Sequence, residues 1–199
     1  MNSPLNGNPM RRISLALAIA SAAASPLLAQ SNLKVAASGR GSTEVNLSPP
    51  TAEGAPAPTP VKITIDYGQP HARGRVVVGA LDADLGKVWR LGANDPTSLT
   101  TGVDLMIGSL SVPKGEYTLF AETSNTGEWK LIVNKKSKDS GEAYDAASDL
   151  GRTPLTSRSL ATPVESLTIW LIPSGDGSPK GELRLAWGTR EFSVPWSMK

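Results

Sequence analysis

The densest run of chemically capable side chains is Lys87-Val88-Trp89-Arg90-Leu91-Gly92-Ala93-Asn94-Asp95. It sets a cation, an indole, a guanidinium, an amide and a carboxylate within nine positions. Arg90 has the planar fork that grips a carboxylate or a phosphate through two parallel hydrogen bonds. Gly92 and Asn94 both tolerate positive φ, so they can turn the backbone and hold these groups on one rim. The same residues also fit a structural clasp, with Arg90 paired to Asp66 or Asp95 and Trp89 in the core, because ion pairs that only hold a fold resemble functional ones. A second cluster is Asp66-Tyr67 with Arg73 and Arg75. It reads either as a polar group at a strand end or as a turn shaped by Pro70 and Gly74. In the turn reading its exposed salt bridges contribute only about 0–1 kcal/mol each.

Much other chemistry is excluded. The chain has no cysteine, which removes disulfides, thiolate nucleophiles and Cys-ligated zinc together. Its one histidine, His71, stands beside Pro70 and reads as a loop surface residue; a His-rich metal site is impossible and a His-based triad is not expected. Asp82-Ala83-Asp84 looks like half a calcium loop, but calcium takes six to eight oxygens and no Gly-containing Asp repeat follows. No Gly-x-Ser-x-Gly elbow is present. Gly39-Arg40-Gly41-Ser42 lacks the strand before it and the helix after it that a phosphate-binding loop needs. Neither a metal nor a cofactor is expected, and no catalytic residue is assigned.

The elements that must position these groups are strands. Val61, Ile63 and Ile65 alternate with polar residues, as a half-buried strand does. Arg75-Val76-Val77-Val78 is a β-branched run. Alternation returns at Val103, Leu105 and Ile107, at Tyr117, Leu119 and Ala121, at Trp129, Leu131 and Val133, and at Leu167, Ile169 and Leu171. Trp170 falls out of phase with the last set and points to the opposite face. Leu183, Leu185 and Trp187 are expected to pair with Phe192, Val194 and Trp196 across a Gly188-Thr189-Arg190 turn. Only residues 141–150 have a helical flavour. The reading is an all-β, antiparallel sandwich or barrel-like domain of about eight strands with one short helix, over residues 61–199. Residues 30–60, rich in Pro and Ala, read as a disordered tether.

Several ordered blocks resemble an exported bacterial family known as domain of unknown function 2911. They are Ile65-Asp66-Tyr67-Gly68-Gln69-Pro70; Arg73-Gly74-Arg75 with Gly79; Gly86-Lys87-Val88-Trp89-Arg90-Leu91-Gly92-Ala93-Asn94; Pro113-Lys114-Gly115-Glu116-Tyr117-Thr118-Leu119-Phe120; Trp129 and Asn134; and Tyr144-Asp145 with Asp149 and Arg152. The similarity runs from Ser48 to Trp196. The family pattern has Glu then Ala after Gly-Ala-Asn, where this chain has Asp95 and Pro96. The resemblance implies export and a β-rich fold, and no activity.

Residues 1–29 read as a secretory signal peptide. Arg11 and Arg12 form a basic start, residues 13–24 an apolar stretch, and Ala29 a small residue for cleavage. The apolar stretch is shorter than a membrane span needs, so no transmembrane segment is expected after processing. Removing it takes two of the 20 basic residues and none of the 18 acidic ones, leaving the mature chain formally neutral. Neutrality argues against nucleic acid as a partner. The expectation is a periplasmic or secreted binding module for a small molecule, a glycan or an envelope protein, its site drawn from Asp66, Tyr67, Lys87, Trp89, Arg90, Asn94 and Asp95. The alternatives are a hydrolase using Asp66 or Asp95 with Arg90 and Lys87, or a purely structural envelope component.

Overall fold

The computed structural model describes residues 33–51, 53–77, 86–124, 127–136 and 144–199. By internal contacts the chain divides into Met1–Val35 and Ala36–Lys199, and the fold below is that of the second unit. The signal-peptide reading, the Asp82-Ala83-Asp84 pair and part of the expected 141–150 helix lie outside the described residues.

The domain is all-β. Its strands are β1 (Ser38–Leu47), β2 (Val61–Pro70), β3 (Val88–Trp89), β4 (Ser98–Thr101), β5 (Leu105–Ile107), β6 (Leu110–Val112), β7 (Gly115–Thr123), β8 (Trp129–Asn134), β9 (Asp149–Pro173) and β10 (Lys180–Met198). All observed pairings are antiparallel, in the order β1-β2-β4-β7-β8-β9-β10-β5-β6, with β3 beside β7. Of the expected helix, the described residues form a single 3-10 turn, Ala146–Ser148, capped by Asp145. No helix among the described residues is long and apolar enough to cross a membrane.

The sheet folds into a sandwich because β9 serves two partners. Its first part pairs with β8 from Asp149 to Leu155, and its later part pairs with β10 from Thr156 to Pro173. Alternating residues on the inner faces make one core, including Ile63, Ile65, Leu99, Leu119, Leu131, Leu167, Leu185 and Val194. The strand order is open, ending at β1 and β6. Its halves meet along a seam of side chains and a backbone bridge, His71 to Ser166, beside which the Ala72 N–H donates to Glu165 O at 2.7 Å. Tyr67 Oη accepts from the Ile169 N–H at 3.2 Å, and Thr43 Oγ1 accepts from the Leu171 N–H at 3.1 Å. Gln69 Nε2 donates to Leu167 O at 3.0 Å. His71, half-buried rather than on the surface, lies 2.7 Å from Ser166 Oγ through Nδ1.

Four details differ from the sequence expectation. The stretch read as a tether contains β1, which pairs with β2 at ten successive positions; the prolines from Pro49 to Pro60 lie in the connection between the two strands. Alternation is hidden in β1 because Gly41 and Thr43 occupy inward positions. Gly41 must lack a side chain there, for a Cβ would come within 2.5 Å of the Tyr67 ring. Second, Gly188 does not turn a hairpin. β10 runs unbroken, and Gly188, at φ 58, absorbs a shift in register against β9. Third, ten strands form where about eight were expected. Fourth, Arg75, Val76 and Val77 lie outside any strand.

Candidate functional site

β3 and β4 lie along the same edge of β7. Trp89 faces Ala121 and Ser98 faces Thr118, so residues 90–97 bulge outward where β7 needs only residues 119 and 120. This outward loop is far longer than a β-bulge, which adds one residue to a strand. Two non-glycine residues in it have left-handed backbone: Leu91 at φ 52 and Asn94 at φ 60. For Leu, which is also buried, such a φ is an outlier that the surroundings must hold in place. They do so with two bonds, from Thr97 Oγ1 to Leu91 O at 3.0 Å and from the Ala93 N–H to Gly68 O at 3.2 Å. Gly92 is not at positive φ. It is needed for room, since a Cβ would lie 2.9 Å from Gly68 O.

This loop distributes the expected site residues. Trp89 is half-buried and stacks on Trp187, with centroids 6.0 Å apart and planes at 16°. Arg90, also half-buried, donates from Nη1 to Asn94 O at 3.2 Å. The two line a depression of about 330 Å³ together with Val88, Phe120 and Tyr144. Asn94 and Asp95 turn away toward β1, where Asn94 Nδ2 donates to Ser38 Oγ at 2.8 Å and Asp95 meets Arg40 at 3.5 Å. Lys87 is exposed. Asp66 sits on the outer face of β2 between Ser42 and Ser98, and among the described residues it forms no ion pair. Tyr67 is buried in the seam. Neither expected carboxylate therefore pairs with Arg90: Asp95 takes Arg40 instead.

One wall of the depression is a charged network that spacing alone does not reveal. The Tyr144 ring meets Phe120 edge-on at 5.0 Å, and its hydroxyl donates to Asp149 Oδ2 at 2.7 Å. Arg152 donates to that hydroxyl at 2.6 Å and to Asp149 Oδ2 at 3.0 Å, and it pairs with Glu122. Asn134 Nδ2 donates to Asp149 Oδ1 at 2.9 Å. Burial first, and then the Asp149 carboxylate, push the Tyr144 phenol up to about 12. Arg152 and its two carboxylates are thus engaged with one another, while Arg90 and the aromatic rings form the lining.

Residues 50–196 match the family model described as Protein of unknown function (DUF2911). The chain belongs to this family. No curated protein and no solved structure matches the chain.

The matched span begins after β1, takes in β2 to β9 and ends within β10. Within the family blocks the signal for the wall was present: Tyr144, Asp149 and Arg152 are polar residues in a single block. Glu122 had none, because only the register across β8, with Glu122 opposite Lys130 and Lys130 opposite Pro154, carries it to within a diagonal step of Arg152. Trp170, half-buried, lies on the face opposite Leu167, Ile169 and Leu171, with Arg184 across the strand pair, as its phase requires.

Proposed function

We propose that this domain is an exported binding module whose ligand enters the depression beside Trp89 and Arg90. The observation that carries the reading is the convergence of one guanidinium and the side chains of Trp89, Phe120 and Tyr144 on one hollow. Its volume lies at the lower end of the range for small-molecule sites. The matching ligand is a small molecule with a carboxylate or phosphate for Arg90 and a flat ring or sugar face for the aromatic walls. Export rests on the order of basic start, apolar stretch and Ala29 at the N-terminus. The hydrolase reading needs Asp66 or Asp95 beside Arg90 and Lys87, and neither carboxylate lines the depression that holds Arg90.

Calorimetric titration of the domain with small aromatic carboxylates, phosphates and acidic sugars tests this. Arg90→Ala should weaken a ligand by about ten-fold or more, the loss of one charge-assisted contact. The bond to the Asn94 carbonyl that it gives up contributes about 1 kcal/mol to stability in urea. A ligand whose affinity ignores both Arg90→Ala and Trp89→Ala would remove the site. A stability loss of about 3 kcal/mol or more from Arg90→Ala would return Arg90 to a structural role.

A further inference from the structure

The other end of the β1–β2 pair carries a larger hollow of different chemistry. Where β1 ends and β2 begins, a cleft of about 670 Å³ is walled by residues that include Leu47, Pro49, Val103, Pro179, Trp196 and Met198. Among the described residues no charged side chain lines it, in a chain with 19% charged residues; its polar groups are amides and hydroxyls such as Asn46, Ser48 and Ser178. Trp196 also walls a neighbouring hollow of about 530 Å³, shared through Pro173 and Ser174, in which Lys180 and Glu182 add charge that the cleft itself lacks. Met198 and Ile172, two large apolar side chains left 44% and 38% exposed, flank these spaces.

We propose that this cleft is a second ligand site, taking an uncharged, mainly aliphatic molecule that carries a hydroxyl or carbonyl oxygen. Four observations select that chemistry. The volume is that of a small-molecule site rather than a shallow protein-docking face. The absence of charge in the walls leaves an ionised group without a partner, and burying one unpaired is expensive. The exposed apolar side chains are retained where a ligand would cover them. The amide of Asn46 and the hydroxyls of Ser48 and Ser178 in the wall give the ligand's oxygen a partner. The site is independent of the Trp89–Arg90 depression, which lies at the opposite end of the β1–β2 pair and prefers the opposite charge character.

The uncharged dye Nile red is the probe. It should bind the full chain saturably with brightened, blue-shifted emission. Met198→Glu, at an exposed position that folding tolerates, should weaken the dye by about ten-fold or more by placing a charge on the rim. Leu47→Asp should do the same, and Trp89→Ala should leave binding unchanged. Decanol should displace the dye about ten-fold more effectively than decanoate at neutral pH, the difference being the charge. No saturable binding would overturn the proposal. So would full binding in a folded Met198→Glu chain, equal displacement by the alcohol and the acid, or self-association of the chain that Met198→Glu and the dye both abolish. The last result would assign the cleft to a second copy of the chain.

Discussion

Tyr144 donates its phenolic hydrogen to an oxygen of Asp149 that also receives Arg152. Ionising the phenol would remove a donor and set a second negative charge beside that carboxylate, in a partly buried place. The neutral form is therefore the one the fold holds, and its pKa rises to about 12. The sign follows from linkage. Stability from this group is fully present below the unfolded tyrosine value near 10, and it is lost as pH climbs toward 12. Spectrophotometric titration of the native domain should show a tyrosine ionising near 12, and Tyr144→Phe should remove that step and flatten the alkaline loss of stability. Tyr117, also raised by burial, sets the background against which the variant is read. An unchanged titration in Tyr144→Phe would mean that the network does not hold the phenol. The half of the site that contains Trp89 and Arg90 was legible as a dense local run. Tyr144, Asp149 and Arg152 stood in one sequence block without marking a wall of the site, and Glu122 joins them only through the pairing of β7, β8 and β9, which no local spacing shows.

At the scale of elements, the seam decides what holds the two halves of the sheet together. Tyr67 gives the Ile169 N–H its acceptor from across the core, and Gly41 gives the Tyr67 ring its space. Tyr67→Phe keeps the ring and removes the oxygen, so it strands a buried N–H and should cost about 1–3 kcal/mol in urea unfolding. A variant as stable as the parent would show that this amide finds another acceptor. The strands whose inner face is wholly apolar, such as those around Ile63, Leu131 and Ile169, announce themselves by alternation. β1 does not, since its inward positions include a glycine and a threonine chosen for the seam. β10 misleads for a related reason: residues that turn a hairpin also serve in a bulge, and only the pairing with β9 separates the two uses.

For the whole molecule, the consequence of β1 is that the folded unit starts before the proline-rich segment. Limited proteolysis of the full chain should leave a protected fragment beginning upstream of Ser38, with the ten-position pairing of β1 to β2 intact. A stable fragment starting between residues 49 and 60 would show β1 to be dispensable. The domain then has two distinct ends. One presents Arg90 among aromatic rings; the other presents an uncharged cleft, with the core between them built from the same strands.

The seam also bears on time. Its hydrogen bonds join residues 95 to 128 positions apart, so most of the sheet must be in place before any of them can form. Contacts of such separation belong late in folding and are spent on the way out rather than on the way in. Tyr67→Phe should accordingly quicken unfolding in stopped-flow mixing while refolding keeps its rate. A few side-chain hydrogen bonds would then set how long each folded molecule lasts, and the alternating strands how fast it is made.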